Sequence, residues 1–337
     1  MRYILLIILS LTYMLDSNAQ LRRDFSQIYR NAPYINPAFT GIEDYFEINS
    51  GLQQSWSAMD DNQASVFVSA YGRIGNYSPT VYEKNALRVS DPSRFRDIAA
   101  SRKDIYRKHG IGGRLTSLSI GPLVQQNFML SYSYHIPLST KLMLSFGTNL
   151  AIDRQVLNLD TYTLRNEADD QFYQELLRQG DGVSTFFNAG FGTVLYNDRF
   201  FTGFSARSIV NSTVKNSLEV ETLEPSAVYT FMGGMMFPLG PDLILRPGLK
   251  MDYSEFYDLA IQPNLSLRWK HRLSIGTYYA VDKALTLTFA LQLSDRLRLG
   301  YSYDHFVADL GLLNRNNHEI TLSFFVNNKY GIASYLW

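Results

Sequence analysis

The chain reads as all-β: a transmembrane antiparallel β-barrel of about fourteen strands, behind an irregular N-terminal segment. Three observations carry this reading. Apolar residues recur with a period of two through runs of about ten residues, as in Leu285, Leu287, Phe289, Leu291 and Leu293. The alternate positions hold charged groups as well as hydroxyls, as in Arg296, Arg298, Ser302 and Asp304. An export leader precedes the first run. A tilted strand of about 9–11 residues crosses a bilayer, with its apolar face on lipid and its polar face in the lumen. A soluble sandwich shares the alternation but not its combination with a leader and charged inner faces.

The leader comes first. Arg2 is followed by an apolar run, Tyr3 to Leu15, and then by Ser17-Asn18-Ala19, small residues where a cleavage enzyme requires them. Residues 1–19 are expected to be a signal peptide with Gln20 as the mature N-terminus. The alternative, an anchor helix, is short for a bilayer. Thirty-one basic residues balance 31 acidic ones, which argues against a nucleic-acid partner. A mean hydropathy of −0.14 excludes a helical membrane protein. No cysteine is present, so disulfides, thiolate metal sites and a lipid-bearing cysteine are excluded.

Residues 20–43 are irregular, because Pro33 and Pro37 remove donors, Asn31 and Asn36 favour turns, and Gly41 permits a left-handed bend. Barrel strands are expected from 44 to 327. Tyr45–Trp56 and Gln63–Ile74 form the first hairpin, and Gly110–Ile120, Asn127–Leu138 and Leu142–Leu157 follow an insertion. After a second insertion come Ser184–Tyr196 and Arg199–Val210, joined by Asn197-Asp198, then Val228–Phe237 and Leu243–Tyr253. Tyr257–Lys270, Arg272–Ala280, the hairpin spanning Ala284–Asp304, and His318–Asn327 complete the set. Residues 328–337 form a C-terminal tail.

Tyr45, Trp56, Tyr196, Tyr253, Tyr257 and Trp269 lie near strand ends, where interfacial girdles are expected. The inner face is expected to hold Arg246, Lys250, Arg268, Lys270, Arg296 and Arg298 beside Asp242, Asp252, Asp258, Asp304 and Glu319. That mixture suits a solvated, salt-bridged wall or a selectivity filter. Wall side chains alone do not fill so wide a barrel, so residues 20–43 are the expected plug.

Residues 75–109 carry eight basic and four acidic residues. Asp91-Pro92 reads as a helix start, and strand parity places the segment in the periplasm. Arg94, Arg102, Lys103, Arg107 and Lys108 are candidates for contact with a periplasmic partner; a helix lying across the barrel mouth is the other reading. Residues 158–183 hold six acidic and two basic residues and fall outside the cell by the same parity.

No catalytic, metal or cofactor motif emerges. The five histidines, His109, His135, His271, His305 and His318, lack ligand spacing. A Ser302/His/Asp304 hydrolase site is disfavoured, because neighbours on a strand face opposite ways. The chain is therefore expected not to be an enzyme.

Two segments say more than periodicity does. One is Phe25-Ser26-Gln27-Ile28-Tyr29 followed by Asn31-Ala32-Pro33-Tyr34-Ile35-Asn36-Pro37-Ala38-Phe39-Thr40-Gly41. The other is Gly300-Tyr301-Ser302-Tyr303-Asp304 with Asn317-His318-Glu319-Ile320-Thr321-Leu322-Ser323. Together they resemble the PorP/SprF family of the Bacteroidota type IX secretion and gliding machinery, across nearly the whole mature chain. Departures are the long 75–109 connection, Asn317 in place of a usual Ser, and the tail after residue 327. The resemblance implies a barrel of fatty-acid-transporter-like shape in the outer membrane, without catalytic residues. It singles out Asn31, Tyr34, Asn36, Pro37, Ala38 and Gly41 in the plug, and Tyr301, Tyr303, Asp304, His318 and Glu319 in the last hairpin. It implies one of two roles: a link to periplasmic machine subunits, or a dedicated partner for a large secreted surface adhesin. The divergent loops favour the second. A channel or hydrophobic-solute transporter is the rival reading.

Overall fold

The computed structural model describes residues 25–43, 45–56, 63–75, 107–120, 123–139, 142–157, 183–216, 225–240, 242–255, 257–281, 283–307, 316–328 and 334. The expected signal peptide, nearly all of the 75–109 and 158–183 insertions and most of the tail lie outside them.

The strands are β1 (Phe46–Trp56), β2 (Gln63–Ile74), β3 (Lys108–Ile120), β4 (Leu123–Pro137), β5 (Met143–Leu157), β6 (Val183–Tyr196), β7 (Phe200–Asn216) and β8 (Val228–Met235). They continue with the two-residue β9 (Phe237–Pro238), then β10 (Leu243–Ser254), β11 (Tyr257–Trp269), β12 (Leu273–Ala280), β13 (Ala284–Ser294), β14 (Leu297–Phe306) and β15 (Asn316–Val326). β9 prolongs β8 past Met236, whose amide turns aside to the Arg199 carbonyl at 2.6 Å. The barrel therefore has fourteen crossings. Each strand pairs antiparallel with its sequence neighbour, and β1 pairs with β15 from Phe46↔Val326 to Trp56↔Asn316, which closes the sheet. Closure leaves no open edge for the bilayer to meet.

Parity sorts the side chains. On β13 the outward residues Leu285, Leu287 and Phe289 are exposed, while Thr286, Thr288 and Ala290 are buried. β4 does the same with Phe128, Leu130 and Tyr132 outside and Ser131, Ser133 and His135 inside. Exposed large apolar residues here mark the lipid-facing band of an outer-membrane barrel.

Most strand ends fall within two residues of the expected ones, with two exceptions. β4 begins at Leu123 instead of Asn127, and β7 runs to Asn216 instead of Val210. In β7, Ser208 takes a positive φ of 54°, and beyond it both faces from Ile209 to Val214 are exposed. Where both faces meet the same solvent, alternation disappears while the ladder continues.

Some expected positions move. Tyr45 and Tyr196 are buried in the lumen instead of standing in a girdle, whereas Tyr253 and Trp269 are exposed on the outside as expected. Arg246, Lys250, Arg268, Arg298, Asp252, Asp304 and Glu319 do face inward. Asp242, Lys270 and Arg296 instead sit exposed in the hairpin turns, where the strand has ended and parity no longer applies. The side chains of Trp56, Tyr257 and Asp258 lie outside the description.

Candidate functional site

Residues 25–43 lie among the inward-facing side chains and run lengthwise through the barrel. At one end, Ser26 meets Gln53, Asp304 and Glu319, close to the far ends of β1, β14 and β15. At the other, the Ile42 carbonyl accepts from Lys108 Nζ at 2.6 Å, at the first residue of β3. The chain then enters β1 from that same near mouth.

The segment holds one helical turn, Ala32–Ile35, and a 3-10 turn, Pro37–Phe39. Prolines at the first positions of both lose no needed donor there. So short a structure leaves many carbonyls without a partner of its own, and the wall supplies the donors. Ser205 Oγ donates to the Ile35 carbonyl at 2.9 Å and Ser145 Oγ to the Ala38 carbonyl at 2.8 Å. Ser133 Oγ donates to the Thr40 carbonyl, which also receives His135 Nε2 at 2.8 Å. With that proton on Nε2, His135 Nδ1 accepts from the Tyr196 hydroxyl at 2.8 Å. The inward serines thus serve a backbone as well as a solvent.

The residues of this segment singled out from sequence all touch the wall or their own turns. Asn31 accepts from Arg114 Nη1 at 2.5 Å and donates to the Gln27 carbonyl at 2.9 Å. The Arg114 guanidinium lies 4.4 Å from the Tyr34 ring centroid, and Arg207 approaches the same ring at 5.0 Å. Asn36 is the most connected. Its Nδ2 donates to the carbonyls of Thr193 and Phe204, at 3.2 and 3.1 Å, on β6 and β7. Its Oδ1 accepts from the Ala38 amide at 3.0 Å and caps the 3-10 turn.

Pro37 and Ala38 press on Gly147 of β5, where any Cβ would overlap their backbone, and a Cβ on Gly192 of β6 would strike Asn36. Gly41, with φ 66°, sits where a Cβ would lie 2.5 Å from the Gly110 Cα. The wall is therefore cut back to glycine where the segment's backbone approaches. The apolar core gathers at the same place: Ile28, Tyr29, Ala32, Ile35, Phe39 and Ile42 pack against Met143, Val194, Tyr196, Phe201 and Met232.

The last-hairpin residues divide between two faces. Asp304 and Glu319 point inward and hold Ser26: Ser26 Oγ donates to Asp304 at 2.5 Å, and the Ser26 amide to Glu319 at 2.5 Å. Gln27 accepts from Thr321 Oγ1 at 3.2 Å, and Arg30 donates to the same hydroxyl. The two sequence motifs, nearly three hundred residues apart, thus form one contact. Tyr301, Tyr303 and His318 belong to the outer face, where the Tyr301 hydroxyl meets His318 Nδ1 at 2.8 Å and the Tyr303 and His318 rings lie 5.1 Å apart. Ser302 and Asp304 face inward while His305 is exposed on the other side of β14, so these residues do not converge.

The partner-facing basic residues are less defined. Arg94, Arg102 and Lys103 lie outside the described residues, and Arg107 is exposed at the near mouth. Lys108 is a correction: it is buried, and its ammonium is spent on Ile42, because parity at the start of β3 turns it inward. Arg114, Ser133, His135, Ser145, Ser205, Gly147 and Gly192 were not singled out from sequence. The available signal was the run of Gly and Ser at inward positions of long strands.

Comparison with known proteins finds one family profile and several solved structures. The family profile "Type IX secretion system membrane protein PorP/SprF" matches residues 17–324. Among solved structures, the chain is similar to the toluene transporter TodX of Pseudomonas putida: 11% identity, 88% of this chain and 93% of that one, TM-score 0.47. A TodX deltaS2S3 mutant, described as a monoaromatic hydrocarbon channel, reaches a TM-score of 0.50 at 12% identity, covering 88% and 94%. The outer membrane protein Omp33 of Acinetobacter baumannii gives 0.44 at 11% identity, covering 84% and 99%. Such low identities concern the fold alone. No curated protein sequence matches the chain. A closed fourteen-stranded barrel of the bacterial outer membrane, matched by the profile over nearly its full length, this chain belongs to the PorP/SprF family of type IX secretion system membrane proteins.

Proposed function

We propose that this type IX secretion component works as a non-conducting protein–protein platform, and not as an enzyme or a pore. In this reading residues 25–43 act as a resident plug, and the loops and mouths are what partners meet. The role favoured is that of a dedicated partner or anchor for a large secreted surface adhesin, with linkage to periplasmic machine subunits as the alternative. The observation that supports it is the seating of residues 25–43: hydrogen bonds run from this one segment to β1, β3, β4, β5, β6, β7, β11, β14 and β15. A lumen wall committed to holding its own backbone has few groups left to conduct solute.

The test joins two measurements on the full-length protein. Planar-bilayer recordings are expected to show no steady conductance. Photo-crosslinkers at Arg107 and at the exposed Glu255, on opposite mouths, are expected to trap identified secretion subunits or an adhesin in cells. Steady channels together with no crosslinked secretion component would overturn the proposal in favour of a diffusion channel.

A further inference from the structure

The wall beneath Ser26 holds more oxygen than its neighbours use. Ser302 and Asp304 on β14, with Asn317 and Glu319 on β15, all face inward and are buried. The register sets Ser302 opposite Glu319 and Asp304 opposite Asn317. Four side chains therefore share a patch of roughly 5 by 7 Å. Asp304 accepts from Ser26 Oγ at 2.5 Å, from Thr286 Oγ1 at 2.7 Å and from Asn317 Nδ2 at a long 3.5 Å. Glu319 Oε2 accepts from the Ser26 amide at 2.5 Å.

Three oxygens in the same patch have no hydrogen-bond partner among the described residues: Glu319 Oε1, Asn317 Oδ1 and Ser302 Oγ. An undonated carboxylate oxygen in a buried wall is costly, and two carboxylates that converge on one serine repel each other. Arg30 donates to Thr321, and its charge acts on Glu319 as that of His318, from the opposite face of β15, acts on Asp304, yet Glu319 Oε1, Asn317 Oδ1 and Ser302 Oγ still receive no hydrogen bond. The donor set is entirely oxygen, with two negative charges, an amide and a hydroxyl. Hard cations that accept irregular oxygen shells at about 2.3–2.6 Å, calcium above all, match it; thiolate- or imidazole-seeking metals do not.

We propose that Ser302, Asp304, Asn317 and Glu319 form a calcium site that locks the Ser26 end of the lumen segment by fixing both carboxylates that hold Ser26. The site stands independently of which secretion partner the protein serves.

Purified full-length protein in detergent, stripped with EDTA, is titrated with CaCl2 and, separately, MgCl2. The expected result is one calcium bound per chain and a calcium-dependent rise in the temperature at which the compact barrel is lost, with magnesium weaker. The double variant Ser302→Ala/Asn317→Leu removes two of the oxygen ligands and the long Asn317–Asp304 bond but leaves both Ser26 contacts in place, so it should still fold in EDTA and lose the calcium response. If that variant does not fold, radioactive-calcium binding to the wild-type chain decides alone. Absence of stoichiometric binding at millimolar calcium, or a response that survives in the folded double variant, would overturn the proposal.

Discussion

Asn36→Asp separates the seating of the lumen segment from the integrity of the barrel around it. The substitution is nearly isosteric and keeps Oδ1 for the Ala38 amide. It removes the two donors to Thr193 and Phe204 and points a carboxylate oxygen at those carbonyls. Each lost bond contributes about 0.5–1.5 kcal/mol net, and the new repulsion in a buried place adds to that, so about 2–4 kcal/mol is expected. At about 1.36 kcal/mol per decade, this multiplies the open population of the segment roughly 30- to 1,000-fold.

The reporters are the amides of Phe39, Thr40 and Ile42, which donate within the segment to Asn36, Pro37 and Phe39 carbonyls. Hydrogen exchange read by mass spectrometry should accelerate there by that factor, while β12 and β13 exchange as in the wild type. If the segment's amides stay as protected as before, Asn36 does not seat it. If the whole barrel exchanges together, segment and wall form one cooperative unit and the separation argued here is wrong.

Two further predictions are more direct. Gly147→Leu places a side chain into the backbone of Pro37 and Ala38, so the segment should leave its seat and steady conductance should appear in bilayers while the barrel remains folded; a silent variant would mean the segment closes nothing. His271, in the turn between β11 and β12, is lowered from 6.5 to about 4 by burial, then by Arg268, with Asp242 opposing. The unfolded ring takes up a proton below about 6.5 before the folded one does, so this contribution to stability is whole above that pH and lost as pH falls toward 4. His271→Gln should flatten that part of a pH–unfolding curve, and an unchanged curve would refute the assignment.

Asn36 and Asp304 illustrate what could be read early and what could not. Asn36 stands in a Pro-rich motif that marks it as special, but nothing in the motif says that its amide reaches β6 and β7. Asp304 alternates with Tyr303, so its inward direction follows from period two alone. That its partner is Ser26 depends on how barrel closure and the path of the N-terminal segment bring the two together.

By itself, the sequence determined the crossing strands and their inner and outer faces, because period-two alternation is a local property that every stretch of about ten residues carries, while the two terminal motifs pointed to the family. Where that property lapses, the reading lapsed too: Lys270 and Arg296 in turns, Tyr196 at a strand end, β7 beyond Ser208. The tertiary structure alone decided how residues 25–43 are seated against the wall. The glycines at 147 and 192 and the serines at 133, 145 and 205 look like ordinary small wall residues until a second backbone lies against them. Their meaning comes from contacts between positions far apart in the chain, which no local pattern encodes.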